Sequence, residues 1–274
     1  MLLIRLLCLG LLSTLLIILC FANPLPSDKM NTARLLLADL RGGDYAHAGD
    51  KEAIDMVLRK VLALSPDIQK GVCLDVGSGS GGTAHYICNL DFHSIYGIDL
   101  DHAAVEHAQK HYPQIQFLTA NAHDVAKLFN PEAFSFIYLF NVLYAIEDKS
   151  SLLKNLYDVA KPGAILALFD YTTEQTPFYL KDLAGKPMHP IVLKELEKNL
   201  NDAGWETIEI NDLSSHFLVW YRHLLDNIEN RQEILSHKFS EADMTKVKVT
   251  FSTIYEWLKT SQIGGAAIYA RKPD

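Results

Sequence analysis

The feature that most constrains this chain is a glycine-rich turn between an apolar strand and a helix. Residues 72–83 read VCLDVGSGSGGT, where VCLDV predicts a buried strand and the residues after the glycines predict a helix. Gly77, Gly79 and Gly82 have the spacing G-x-G-x-x-G, and Asp99 follows about twenty residues on. Glycines in such a turn let the backbone approach a ligand closely. The stretch therefore predicts an α/β fold with a nucleotide-type ligand at the turn.

The rest of the chain extends this pattern, because short apolar strands alternate with helical segments. The alternation predicts βαβ units and a parallel sheet with helices on both faces. Strands are predicted over 72–76, 94–100, 115–120, 134–140 and 164–171, with helices over 52–64, 83–90, 102–111, 123–128 and 149–160. Beyond them we predict a helix over 190–205, a strand over 206–212, a mostly helical stretch over 215–260 and a last strand over 266–273.

The acidic residues near the turn bear on which ligand it receives. Asp75 lies two residues before the first glycine, where it would repel a pyrophosphate bound at the helix N-terminus. A ligand with an ammonium group and no phosphate, such as S-adenosylmethionine, suits that carboxylate. Asp99, at the end of the second strand, is expected to accept hydrogen bonds from ribose hydroxyls, and Asp101 to cap the next helix. Asn121 is a candidate for the adenine edge, with Asp124 as its rival or as a helix cap.

Several segments in a fixed order carry a more specific resemblance. DVGSGSGG, GID, FLTANAHD, FSFIYLFNVLYAIEDK, KPGA and LFDY follow one another between residues 71 and 171. In this order they resemble the class I S-adenosylmethionine-dependent methyltransferases. The resemblance implies a Rossmann-like seven-stranded sheet whose last strand runs antiparallel, and S-adenosylmethionine as the cofactor. With it, the predicted cofactor-binding residues are His47, Asp75, Gly77, Ser78, Gly79, Asp99, Leu100, Asn121, Ala122 and Asn141.

A looser resemblance links the flanking segments DYAHAGDKEAIDMVL and NDLSSHFLVWYRHLLDNIEN to the phosphoethanolamine N-methyltransferases. It implies that the segment with Tyr45 and His47 folds over the cofactor as a lid. It fails after the fourth strand, where Ala145 stands at the position of that group's His and Phe140 at that of an Arg. Methylation of phosphoethanolamine by that group's His–Tyr dyad is therefore in doubt, whereas cofactor binding is not.

Two tyrosines are the predicted catalytic residues on the acceptor side. Tyr45 belongs to the lid segment, and Tyr171 ends the fifth strand at the edge of the sheet where ligands of open α/β folds bind. Tyr171 would contact the acceptor through its hydroxyl or through its ring face, which suits a methylated cation. Tyr144 could also reach the site, although a packing role is equally compatible with its position.

The first residues form a separate segment. After Arg5, the chain is apolar from 6 to 22, and Asn23, Pro24 and Pro26 end any helix there. We expect residues 1–22 to be a membrane anchor or a signal peptide, 23–50 a linker and lid, and 51–274 the methyltransferase domain. The leader predicts attachment to a membrane, with a secreted protein, or a cytoplasmic one starting at Met30, as alternatives.

Composition limits the partners. The chain has 33 acidic and 25 basic residues with no basic cluster, so we expect no nucleic-acid partner. The four cysteines lack metal-ligand spacing, and we expect no metal. The sequence thus predicts a monomeric methyltransferase acting on a small molecule, by N- or O-methylation of an amine, a phosphobase or a lipid headgroup. The alternatives are an NAD-dependent oxidoreductase, which the glycine turn alone would fit, and a non-catalytic, membrane-tethered cofactor-binding protein.

Overall fold

The computed structural model describes residues 32–175 and 187–274, and its centre is one seven-stranded sheet. The order across the sheet is β3-β2-β1-β4-β5-β7-β6; β1 to β5 pair in parallel, and β7 is antiparallel to both β5 and β6. The predicted methyltransferase-type sheet with an antiparallel last strand is confirmed. The strands are β1 Val72–Val76, β2 Ser94–Asp99, β3 Gln116–Thr119, β4 Phe134–Phe140, β5 Ala160–Thr172, β6 Glu206–Asp212 and β7 Gly264–Arg271.

Helices cover both faces of the sheet, as the alternation predicts. They are α1 Thr32–Arg41, α2 Asp50–Leu64, α3 Gly82–Cys88, α4 His102–His111, α5 Val125–Leu128, α6 Lys149–Val159, α7 Leu193–Ala203, α8 Ser214–Asn230, α9 Gln232–Ser236 and α10 Glu241–Lys259. One core cluster joins one sheet face to α1, α2, α3, α4, α8 and α10, and a second joins the other face to α5, α6 and α7. The predicted helical insertion before the last strand consists of α8, α9 and α10.

Local sequence signals explain several helix ends. Asp101 caps α4, where its side chain accepts a hydrogen bond from the Ala104 N–H, and Asp148 caps α6 through the Ser151 N–H. At the other end of a helix, Gly204 takes a left-handed conformation (φ 99°) and ends α7. The helix predicted over 190–205 therefore ends at Ala203, and it begins at Leu193 rather than at residue 190.

The segment before α2 packs onto the domain rather than standing apart from it. Within the predicted linker and lid, residues 32–50, α1 contacts α8 and α10, and Leu36, Leu40 and Ala48 are buried. The predicted leader over residues 1–22 lies outside the described residues. Among the residues that are described, no helix is long and apolar enough to cross a membrane.

Candidate active site

The glycine turn lies between β1 and α3, where the strand order reverses between β1 and β4. Crevices at such reversals are the usual ligand sites of open α/β sheets. The N–H groups of Gly77 and Ser78 both donate to the Ile98 carbonyl, at 2.7 and 2.9 Å, which ties the turn to β2. Gly77, Gly79 and Gly81 have φ values of 76°, 50° and 87°, which side chains with a Cβ rarely adopt. The turn is therefore held in a conformation that requires glycine.

Asp99 fixes the outer side of this turn. Its carboxylate accepts one hydrogen bond from the Gly79 N–H and another from the Asp101 N–H, each at 2.8 Å. These bonds hold the carboxylate at the carboxyl end of β2, half-buried, with lone pairs left for a ligand's hydroxyl groups. The neighbouring Leu100 is 69% exposed, so its side chain extends over the surface at this edge.

Asp75 is buried beneath the turn. Its Oδ2 atom has no hydrogen-bond partner within residues 32–175 and 187–274. Burial, together with the nearby Asp99 charge, raises the pKa of Asp75 well above its usual range. Ser78 Oγ, in the turn itself, is likewise buried and unpaired among the described groups. Unsatisfied buried polar atoms carry a free-energy cost, so this site is suited to a ligand that donates hydrogen bonds.

At the end of β3, Asn121 begins the short 3₁₀ helix Ala122–Asp124. Its Oδ1 atom accepts a hydrogen bond from the His123 N–H at 3.0 Å, so Asn121 acts as the helix cap. Asp124, the rival candidate for the adenine edge, pairs with Lys127 at 2.6 Å and precedes α5 without a side-chain cap bond. The carboxyl ends of β1, β2 and β3 thus bring Asp75, Asp99 and Asn121 to one edge of the sheet, as parallel pairing predicts.

Asn141 connects the end of β4 to the lid segment. Its φ is 53°, unusual for a residue other than glycine. Its side-chain Oδ1 accepts from the Ala48 N–H at 3.0 Å, whereas its Nδ2 is buried with no partner among the described residues. The amide nitrogen is therefore available to a ligand while the oxygen holds the lid segment in place.

Tyr45 and His47, which belong to the lid segment, are both buried. The imidazole of His47 contacts Thr83 Oγ1 through Nε2 (3.1 Å) and the Ala48 carbonyl through Nδ1 (3.0 Å), and its ring lies 4.8 Å from that of Phe140. Burial lowers the pKa of His47 to about 3, so the ring is neutral. Burial likewise raises the pKa of Tyr45 to about 12. Neither side chain lines the cavity described next, and the roles predicted for them stay predictions.

A cavity of 380 Å³ lies beside the glycine turn, between α1, α8, α10 and the carboxyl ends of β4 and β5. It is lined by Ala33, Arg34, Leu37, Ala46, Asn141, Tyr144, Tyr171, Met188, Tyr221, Lys246, Val249, Thr250, Phe251, Thr253, Ile254 and Trp257. The Tyr171 and Tyr221 hydroxyls hydrogen-bond to each other, and the Tyr144 ring stands at 77° to that of Tyr171, 5.3 Å away. Burial raises the pKa of Tyr171 well above its usual range, so it stays protonated. The structure thus places Tyr171 in a wall of aromatic rings.

Arg34 joins this cavity to the glycine turn, and sequence reasoning missed it. A Cβ atom added to Gly79 would lie 3.3 Å from Arg34 Nη1, while Nη2 forms an ion pair with Asp101 at 3.1 Å. Arg34 also lines the cavity. Its position on α1, before any recognised motif, gave no local signal of this role. Tyr221 and the cavity-lining residues of α10 were also missed; Tyr221 lies within the resembling segment NDLSSHFLVWYRHLLDNIEN, where no single residue carried a signal of this role.

The loop after β4 carries apolar side chains where the phosphoethanolamine N-methyltransferases would have His and Arg. Ala145 ends the 3₁₀ helix Leu143–Ala145, and Phe140 packs against Phe169 with ring centres 5.3 Å apart. The loop is held by Asp170, whose carboxylate accepts from the N–H groups of Val142, Leu143 and Tyr171. Despite these bonds, burial raises the pKa of Asp170 to about 6.

Comparison with known proteins agrees with this geometry. A family described as "Methyltransferase domain" matches residues 74–168. Phosphoethanolamine N-methyltransferase 3 of Arabidopsis thaliana is 31% identical over 204 residues, covering 70% of this chain and 39% of that protein. O-methyltransferase rstn1 of Aspergillus nomiae is 30% identical over 208 residues, covering 65% of this chain and 87% of that protein. The chain therefore spans about two fifths of the plant enzyme (39%) but most of the fungal one (87%).

A solved structure has the same fold. Haemonchus contortus phosphoethanolamine N-methyltransferase 2, in complex with phosphomonomethylethanolamine and S-adenosylhomocysteine, superposes with a TM-score of 0.78. The match covers 90% of this chain and 59% of that one, at 17% identity, so it establishes the shared fold alone.

Proposed function

This chain belongs to the class I S-adenosylmethionine-dependent methyltransferases, and we propose that it transfers the methyl group of S-adenosylmethionine to the nitrogen of a small amine. The observation that carries the proposal is the cavity with the tyrosine wall, which meets the glycine turn at Arg34. A reaction between a nucleotide-type cofactor and a second molecule needs two adjoining sites, and here the Arg34 side chain belongs to both.

The residues around the turn fit S-adenosylmethionine. Asp75 would receive the α-ammonium group, since its unpaired Oδ2 atom lacks a donor in the described chain. Asp99, held by two backbone N–H groups, would accept the ribose hydroxyls. Asn121 would face the adenine edge with its amide nitrogen, because its oxygen is used as a helix cap. A pyrophosphate at this turn would lie beside the acidic Asp75 and Asp99 side chains, which argues against the NAD-dependent alternative.

The acceptor side favours an amine over a hydroxyl. When bound, S-adenosylmethionine supplies a methyl group on a positively charged sulfur, which a nucleophile displaces. A hydroxyl nucleophile usually needs a general base, whereas an amine can lose its proton to solvent. None of the described residues that line the cavity is Asp, Glu or His. The faces of aromatic rings such as Tyr171 and Trp257 attract cations, which suits the methylated ammonium product.

Positioning carries much of the rate in such a displacement, because the two reactants must be aligned and water excluded. Tyr171 contributes through its ring, which is held by Tyr144 at its edge and by the hydrogen bond to Tyr221. Asn141 contributes by tying the lid segment to the end of β4. The acceptor is expected to be a free amine, a phosphobase or an amine headgroup of a lipid.

The proposal is tested by calorimetric titration of the full chain with S-adenosylmethionine, S-adenosylhomocysteine and NAD, followed by radiolabelled methyl transfer to a panel of amines and phenols. We expect binding of the first two ligands, weakened in Asp99→Ala, and turnover on amines. Tight binding of NAD alone would refute the proposal. Turnover on phenols but not on amines would instead identify an O-methyltransferase, the activity named for the fungal relative.

We also propose that residues 6–22 attach the protein to a membrane. The support is the apolar run in the sequence, followed by Lys29, Arg34 and Arg41, which favour a cytosolic domain by the positive-inside rule, while Arg5 opposes it. That orientation would give the domain access to S-adenosylmethionine, which is made in the cytosol. Fractionation of cells expressing the full chain or a chain starting at Met30 tests this. Recovery of both chains in the soluble fraction would exclude attachment through this run.

A further inference from the structure

A second, shallow cavity lies on α10 beside the first. It has a volume of 460 Å³ and shares Val249, Thr253 and Trp257 with the first, while its other lining residues, Thr245, Lys248, Ser252 and Glu256, are polar or charged. The shared residues are spaced by four along the helix and therefore form one ridge. Val249 is 59% exposed although it is a valine. The two cavities thus meet along this ridge of α10.

The lining of the first cavity is polar near the tyrosines and mainly apolar farther from them. Close to β4 and β5 the cavity is lined by Tyr144, Tyr171, Tyr221 and Asn141, whose side chains carry hydroxyl or amide groups. Its walls on α1 and α10 are mainly aliphatic or aromatic, and include Ala33, Leu37, Val249, Phe251, Ile254 and Trp257. An acceptor as small as a free phosphobase would leave that apolar wall in contact with water, which is unfavourable in proportion to its area. The wall is suited to an acceptor with an apolar part.

One cationic side chain, Lys246, lies on the α10 side of the first cavity. Lys246 is exposed, lies one turn before Val249 and lines the first cavity. It forms no ion pair within the part of the chain that the structure describes. Arg34, on the α1 wall, is already paired with Asp101. Lys246 is therefore the side chain available to an anionic group of an acceptor that reaches the tyrosines.

We propose that the methyl acceptor is a single-chain amphiphile, with its amine at Tyr171, an anionic group at Lys246 and its hydrocarbon chain along α10 over Val249 and Trp257. The proposal rests on the function proposed above and specifies its substrate class. The amine's nitrogen forms the new bond to the methyl carbon, the sulfur–methyl bond breaks with its electron pair returning to sulfur, and the proton of the amine goes to solvent. The products are a methylated amine amphiphile and S-adenosylhomocysteine.

The test compares the full chain on free phosphoethanolamine and on lysophosphatidylethanolamines of increasing chain length, all below their critical micelle concentrations. Each methylene that enters the cavity should raise kcat/KM by about twofold to fourfold, until the chain outgrows the cavity. Calorimetric binding of the N-trimethylated, unreactive amphiphile should show the same dependence on chain length.

Two variants and one control assign the effect to the wall. Val249→Asp should lower kcat/KM for the long-chain acceptor by about tenfold or more, and by a larger factor than it lowers kcat/KM for free phosphoethanolamine. Lys246→Gln should weaken the phosphate-bearing amphiphile more than an uncharged alkylamine of equal length. Ile234→Asp is the matched control, because Ile234 is 54% exposed and does not line either cavity.

The outcomes separate the two proposals. Turnover on free phosphoethanolamine that no hydrocarbon chain improves overturns the amphiphile and leaves the methyltransferase activity standing. A loss in Val249→Asp that is equal for chain-bearing and chainless acceptors also overturns it. Absence of both S-adenosylmethionine binding and turnover with every acceptor overturns the proposed function, and the amphiphile with it.

Discussion

Gly79→Ala separates a structural requirement for glycine from a requirement imposed by the cofactor. Gly79 has φ 50°, and within residues 32–175 and 187–274 the one heavy atom within 4 Å of an added Cβ, apart from its chain neighbours, is Arg34 Nη1 at 3.3 Å, the end of a flexible side chain. An alanine in the left-handed region costs roughly 1–2 kcal/mol. The fold should therefore lose about that much stability and stay intact. The added methyl group, however, would occupy space beside the turn that a bound cofactor needs.

Gly163→Ala is the control for the free-energy cost of placing an alanine in the left-handed backbone conformation. Gly163 has φ 74°, and among the described residues a Cβ there would meet the Asp274 side chain alone, at 3.1 Å. It lies near the start of β5, at the end of that strand opposite Tyr171. Urea denaturation should give both variants a similar loss of about 1–2 kcal/mol. Calorimetry should show S-adenosylmethionine binding weakened by about tenfold or more in Gly79→Ala, which is about 1.4 kcal/mol, and unchanged in Gly163→Ala.

One result would refute this reasoning. If Gly79→Ala binds S-adenosylmethionine as tightly as the original chain while losing the expected stability, the cofactor does not lie against the turn. The assignment of Asp75 and Asp99 to the cofactor would then fall as well, because both are placed by the same turn. A loss of stability far above that of Gly163→Ala would show instead that the space beside Gly79 is filled by other parts of the chain.

Three further predictions follow from buried groups in the site. Because burial lowers the folded pKa of His47 from 6.5 to about 3, the contribution of His47 to stability is complete above pH 6.5 and falls as the pH falls, by about 2 kcal/mol at pH 5. Urea titrations at pH 8 and pH 5 should show this loss in the original chain and not in His47→Phe. Equal losses in the two proteins would contradict the prediction. Tyr171→Phe should change the KM of an amine acceptor less than about threefold, and Tyr171→Ala should raise it about tenfold or more. The reason is that the ring face is the proposed contact, whereas the hydroxyl is bonded to Tyr221. Initial-rate kinetics in which both variants have the same KM would count against this. Asp99→Asn should weaken S-adenosylmethionine binding by about tenfold in calorimetry, with Asp124→Asn, outside the proposed contacts, as the control that should retain full affinity.

Much of the fold could be predicted from local patterns. The predicted bounds of β1, β4, β6 and α4 coincide with those of the structure, because apolar runs bounded by turn and capping residues carry their own start and stop signals. The prediction was less accurate for β5, which begins at Ala160 rather than at residue 164. There, Ala160 pairs with Phe134, and after an irregularity that contains Pro162 and Gly163 the regular pairing with β4 and β7 begins at Ile165.

The cofactor half of the site was also accessible from the sequence. Asp75, Asp99 and Asn121 each end a strand of a parallel sheet, so predicting the strands was enough to bring them to one edge. The glycine turn follows β1 directly and has positive φ at Gly77 and Gly79. It therefore indicated that the ligand binds at the carboxyl edge of the sheet.

Most of the acceptor half was decided by tertiary structure, although Tyr171 was predicted for it from the sequence. The Tyr171 hydroxyl meets Tyr221, fifty residues away, and Arg34 reaches Gly79 from a helix before the first strand. The burial of His47 between Phe140 and Thr83 also results from tertiary packing, and its predicted place at the cofactor stays a prediction. Sequence periodicity determines which residues share a helix face, but not which other helix that face meets. That depends on how α1, α8 and α10 fill the space over the sheet, a packing problem among residues about two hundred positions apart.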